Sequence, residues 1–123
     1  MTVRQHEITL CSGEGDTMPE KTLRDFQSEV DAWIQTVGAG YWSPHANLAR
    51  IAEEVGELAR LINHLFGPKP KKATEARQEL GEEMADIIFA IICLANSQEI
   101  DLEASLQKVI AKVWARDRHR YGK

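Results

Sequence analysis

The chain has 123 residues, 43% hydrophobic and 28% charged, with a formal net charge of -4. That length fits one domain with its own core, and the mild acidity excludes both a broad basic face for stable nucleic-acid binding and a polybasic membrane signal. The apolar run "IIFAIICLA" falls far short of the ~20 residues of a bilayer span and no signal-peptide core opens the chain, so a soluble, cytoplasmic protein is expected.

Residues 1–18 are polar and Gly-containing without periodicity and read as a flexible leader, which leaves 19–123 as one helical domain. From Pro19 onward Leu23, Phe26, Val30, Trp33 and Val37 recur at steps of three and four. That is one stripe of a helix, ended by Gly38 and Gly40. In "GYWSPH" Ser43 caps a second helix and Pro44 takes its first turn. This helix runs to about Phe66 with Leu48, Ile51, Val55, Leu58, Ile62 and Leu65 inward, and "GPKPKK" breaks it. A third helix begins near Thr74, carries Leu80, Met84, Ile87, Ile88, Ile91, Leu94 and Ala95 on its apolar side, and fades at "NSQE". Asp101 caps a fourth, with Leu102, Leu106, Val109 and Val113 inward. No segment alternates as a strand does and no repeat is visible, so the fold class is all-α, resembling a four-helix bundle with antiparallel neighbours.

The second helix carries "EEVGE", three carboxylates in five residues beside its apolar stripe. At ~100° per residue, Glu54 lies roughly 70° and Glu57 roughly 130° to one side of the stripe, while Glu53 points nearly opposite. In "EEMAD" of the third helix, Glu83 and Asp86 are offset by roughly 80° and 140° in the same sense. If the two helices pack antiparallel through their stripes, all four acids face one groove. Like charges so placed repel and call for a counter-charge; a hard divalent cation, Mg²⁺ above all, suits oxygen ligands and substrate phosphates. The competing reading is a pair of solvated acidic faces. A di-iron site is disfavoured, because neither His45 nor His64 completes a Glu-x-x-His motif.

"EEVGE" followed by "EMAD" resembles the EExxE and ExxD signature of the all-α MazG-like nucleoside triphosphate pyrophosphohydrolases. "GYWSPHANLARIAEEVGELARLINHLFGPKPKKAT" and "CLANSQEIDL" are similar to short single-domain members of the YpjD type, so the resemblance spans roughly Leu23 to Tyr121. It implies hydrolysis of a nucleoside triphosphate, NTP or dNTP, between its α and β phosphates, giving a monophosphate and pyrophosphate, as nucleotide-pool housecleaning. It also implies Glu54, Glu57, Glu83 and Asp86 as ligands of Mg²⁺, with Mn²⁺ as a substitute, catalytic roles for Glu53 and Glu54, and a homodimer or homotetramer with sites at subunit interfaces. The alternative is a non-catalytic helical module that binds nucleotide or a protein partner.

Substrate groups come from elsewhere in the chain. Lys108, Lys112 and Arg116 form an i,i+4 ladder on the fourth helix, and Lys112 and Arg116 are candidates for the triphosphate, though cations near a helix C-terminus also suit its dipole. Asn96, ending the third helix, is a candidate for a phosphate or sugar, or else a cap. Lys69, Lys71 and Lys72 occupy a turn and read as solvated. Of the aromatics, Trp33 reads as core, Tyr41 and Trp42 as stacking surface for a base, and Trp114 as filling a subunit contact. Cys93 reads as a buried small hydrophobe.

Overall fold

The computed structural model describes residues 19–68 and 77–121. The leader, Thr74 and the turn lysines Lys69, Lys71 and Lys72 lie outside the described residues. Four helices follow in order: α1 (Leu23–Thr36), α2 (Pro44–Phe66), α3 (Arg77–Ser97) and α4 (Leu102–Asp117), with no strand among the described residues.

Local chemistry sets the helix ends. Thr22 caps α1 and forms a reciprocal capping box with Asp25: its hydroxyl accepts from the Asp25 N–H at 3.1 Å, and the Asp25 carboxylate accepts from the Thr22 N–H at 2.8 Å. These hydrogen bonds hold the Asp25 carboxyl below the usual carboxylate range. Ser43 caps α2 ahead of Pro44, and Asp101 caps α4, as the sequence predicts. After α3 the N–H of Ile100 returns to the Ala95 carbonyl and that of Glu99 to Asn96. This is a Schellman turn, with Glu99 at φ 56 in the left-handed position that glycine usually holds.

Packing follows from how apolar arcs are shared. Asn47 and Arg50 on α2 line one cavity with Ala90 and Cys93 on α3, while Glu54 lies near Glu83 and Asp86, so the two helices run antiparallel. Gln27 of α1 reaches Asn96 of α3, and Trp33 reaches Phe89, which makes α1 antiparallel to α3 as well. On α3, Ala90 and Ile92 are both 4% exposed although they point about 200° apart. The helix is therefore covered from two sides, by α2 and α1.

The predicted inward faces of α2 and α4 need correction. On α2 the buried residues are Asn47, Glu54 and Leu61, whereas Leu48, Val55 and Ile62 are exposed. The apolar arc of α2 is wider than its contact with α3, and that contact uses the edge carrying Glu54. α4 leans on α1, and Leu106, Val109 and Val113 are each more than two-fifths exposed, with no helix among the described residues covering them. Trp33, read as core, is 49% exposed and meets Phe89 edge-to-face at 6.0 Å between ring centroids.

Where α1, α3 and α4 converge, a buried glutamine replaces apolar packing. The Gln27 Nε2 donates to Asn96 Oδ1 at 3.0 Å and to the Ile100 carbonyl at 2.8 Å, while its Oε1 accepts from the Leu102 N–H at 2.9 Å. The Asn96 Nδ2 in turn donates to the Gln27 carbonyl at 2.9 Å. Outside this hub, Arg24 bridges Asp101 at 2.7 Å and Glu103 at 3.0 Å. The turn between α3 and α4 is thus tied to α1 by polar contacts that only glutamine's length and paired donor and acceptor satisfy. We expect Gln27→Leu, although more apolar, to destabilise the protein by about 2 kcal/mol or more, because it strands the Leu102 N–H, the Ile100 carbonyl and Asn96. Thermal unfolding should show the midpoint falling by roughly 10 °C.

Candidate functional site

Helices α2 and α3 bring together Glu54, Glu83 and Asp86, each offering a carboxylate oxygen within 4.8 Å of the others. Glu54 sits on the packed edge of α2 and is 8% exposed. Glu83 is half-buried and Asp86 exposed, so the cluster opens from the helix contact toward solvent. The Glu83 carboxyl is pushed above its ordinary range, first by lost hydration and then by Asp86, Glu57 and Glu54. Among the described residues two guanidinium groups answer this charge: Arg50, one turn before Glu54, places its Nε 2.7 Å from Glu54 Oε1, and Arg60, paired with Glu57, draws the Glu83 carboxyl back down.

The remaining predicted residues fall in different places. Glu57 lies close enough to raise the Glu83 carboxyl, yet its carboxylate is outside the three-residue group and 3.4 Å from the Arg60 guanidinium. Glu53 is exposed, about 100° around α2 from Glu54. Asn96 belongs to the Gln27 hub, with both ends of its amide engaged there. Lys108 and Lys112 are exposed. Arg116 makes a two-pronged pair with Asp117 at 2.9 and 3.0 Å, which holds the Asp117 carboxyl low. None of these α4 cations pairs with the acidic cluster of its own chain. Arg50 was missed in the sequence, although its i,i+4 spacing to Glu54 was a visible signal.

Two hollows open elsewhere on the surface, one apart from the acidic cluster and one beside Arg50. A cleft of about 820 Å³ between α1 and the α3–α4 turn is lined by Arg24, Asp31, Tyr41, Asn96 and Asp101 among others. Its polar groups largely satisfy one another: Arg24 bridges Asp101, and the Tyr41 hydroxyl donates to Asp31. Burial, then that bond to Asp31, pushes the Tyr41 phenol up to about 12, so it stays protonated and donating through neutral pH. No carboxylate of the cluster lines this cleft. A second cavity, of about 350 Å³, lies beside Arg50 and is walled by Trp33, Trp42, Phe89, Asn47 and Cys93. Cys93, read as buried, is half-buried at this wall, and lost hydration pushes its thiol up. Among the described residues no helix is long and apolar enough to cross a membrane.

As a chemical object the cluster is an all-oxygen donor set with one buried and two more open carboxylates. Such a set suits a hard divalent cation and offers nothing to metals that favour nitrogen or sulfur.

Comparisons with known proteins identify the family. Residues 42–121 match the model of the MazG nucleotide pyrophosphohydrolase domain. The uncharacterized protein YpjD of Bacillus subtilis is 48% identical over 104 residues, covering 85% of this chain and 94% of YpjD. YvdC of the same organism is 31% identical over 106 residues, covering 81% and 93%. The crystal structure of B. subtilis YpjD superposes with a TM-score of 0.69 at 47% identity, covering 81% of this chain and all of that one. A Bacillus-conserved MazG protein, a nucleotide pyrophosphohydrolase, superposes at 0.66 with 44% identity over 77% of this chain and 92% of that one. A pair of helices that brings three acids together, within a sequence matching these proteins along most of its length, places the chain in the MazG nucleotide pyrophosphohydrolase family.

Proposed function

We propose that the chain hydrolyses nucleoside triphosphates to monophosphate and pyrophosphate with Mg²⁺, for which Mn²⁺ can substitute, and that it serves to clear unwanted nucleotides from the pool. The observation that carries this reading is the convergence of Glu54, Glu83 and Asp86 from two helices. These three would hold the ion, with Glu57 one turn away completing the set. The ion supplies neutralisation of the phosphate oxygens and polarisation of the α-phosphorus.

The chain's own groups do the rest. Arg50 fixes the Glu54 carboxylate and offsets part of the cluster's repulsion. Glu54 would orient the attacking water, and Glu53, exposed and outside the cluster, would take its proton through a water or across a subunit contact. Water has access because Asp86 is exposed.

Assembly is part of the proposal. Among the described residues two apolar faces are exposed: Leu106, Val109, Val113 and Trp114 on α4, and Leu48, Val55, Ile62, Met84 and Ile88 on α2 and α3. Packing α4 of a second copy over the α2–α3 face would bury both and bring Lys112 and Arg116 toward acids they do not pair with at home. We assign a homodimer, or a pair of such dimers, with these two cations delivered in trans to the triphosphate. Mixing Glu54→Gln chains with Lys112→Ala/Arg116→Ala chains should then restore roughly a quarter of wild-type turnover, since one site in each mixed dimer is intact. Recovery of none would place the cations in cis, and Lys112→Ala/Arg116→Ala chains active on their own would place them outside the site.

Metal linkage tests the central assignment. With Mg²⁺ a hundred-fold above its dissociation constant, stability should rise by about 2.7 kcal/mol. Glu54→Gln and Asp86→Asn should shrink that rise and lower turnover by at least roughly 100-fold. A wild-type midpoint indifferent to millimolar Mg²⁺ would contradict the site.

A further inference from the structure

The second cavity adjoins the acidic cluster through a single side chain: Arg50 lines the cavity while its guanidinium holds Glu54. Its other walls combine aromatic rings with small and aliphatic residues, Ile34 and Ala90 among them. Trp33, Trp42 and Phe89 surround it, and each remains more than two-fifths exposed. Two neutral polar side chains reach this space: Tyr41, whose hydroxyl donates to Asp31, and Asn47, which is 4% exposed. Its Nδ2 donates to the Trp42 carbonyl at 3.3 Å. Its Oδ1 accepts no hydrogen bond from any described residue, an unusual condition for a carboxamide so deeply buried.

We infer that this cavity takes the substrate's nucleobase and that the Asn47 Oδ1 accepts an N–H from the base edge. The inference rests on the proposed reaction and adds a specificity residue to it. At about 350 Å³ the cavity lies near the lower end of small-molecule pockets, ~300–1,000 Å³, so it suits a base and leaves the triphosphate outside, at the carboxylates. Flat aromatic faces stack on any base, which makes stacking tolerant of sequence. A single amide, by contrast, discriminates by hydrogen bonding, because a ligand without a donor leaves the buried oxygen unpaired. Every natural base offers at least one N–H donor, whether amino or ring, so the pocket separates bases with a donor at the right place from base-shaped ligands without one.

The test compares natural nucleoside monophosphates with 5-nitroindole 2′-deoxyriboside monophosphate, whose base has no N–H donor. Binding is followed by tryptophan emission in a Trp114→Phe chain, where only the cavity-wall residues Trp33 and Trp42 emit. Natural monophosphates should quench that emission, with at least one bound roughly ten-fold more tightly than the nitroindole compound in the otherwise unaltered protein. Asn47→Leu should erase that preference while leaving pyrophosphate binding unchanged. Equal binding of both ligand types without any substitution at Asn47, equal weakening of both by Asn47→Leu, or binding without quenching would overturn the inference. The reaction itself is read separately, by pyrophosphate release from triphosphates, so a failed base pocket and a failed enzyme assignment give different results.

Discussion

Glu54 is nearly excluded from water at the contact of α2 and α3 and faces two further carboxylates across it, an arrangement that costs free energy unless positive charge enters it. Arg50 meets part of that cost from the same helix. Arg60 acts on Glu83 from that helix as well, and on the proposed function the remainder would fall to a cation held between Glu54, Glu83 and Asp86, whose oxygens lie within 4.8 Å of one another. On that proposal the antiparallel register would serve the chemistry as well as the packing. Sliding either helix by one residue would turn its acids about 100° away.

The opposite end of the molecule is organised by neutral hydrogen bonds. Gln27 ties α1 to both sides of the α3–α4 turn, which holds α1 against α3 and keeps Trp33 beside Phe89. The cavity next to Arg50 exists because α1 is held there while its loop, through Tyr41 and Trp42, closes over α2. Glu99 tolerates a left-handed backbone in the same turn. The strain is acceptable because the Schellman bonds and the Asp101 cap define the chain on both sides. Apolar packing within one chain is thin by comparison: the buried apolar residues are Ile34, Leu61, Ala90, Ile92 and Ala95, and no described side chain is fully buried. Exposed apolar faces on α2, α3 and α4 are what a subunit contact would use.

Helix identity and most ends were legible because their determinants are local. Ser43 before Pro44, and Asp101 before an apolar run, act on backbone groups within three residues. The acidic convergence was legible for a related reason, since equal angular offsets on two helices survive packing. Its details were not. Periodicity finds the centre of an apolar arc, but the α2 arc serves more than one contact, so Glu54 proved to be buried rather than bordering the buried face. Glu57 turned toward Arg60, a choice made by a flexible side chain. The roles of Gln27 and Asn47 could not be read at all, because their partners or surroundings come from distant segments and a polar residue in a helix pattern resembles a solvent position. The face of α4 was misread as inward because amphipathicity reports that a face needs cover without saying which chain supplies it.

Product identity is the most direct test of the account. Phosphorus NMR of a nucleoside triphosphate turned over with Mg²⁺, run beside the Glu54→Gln variant, separates pyrophosphate from orthophosphate in one spectrum. The account predicts equimolar pyrophosphate and monophosphate from the wild type and neither from the variant. Orthophosphate with diphosphate, or pyrophosphate formed equally well without the Glu54 carboxylate, would contradict it.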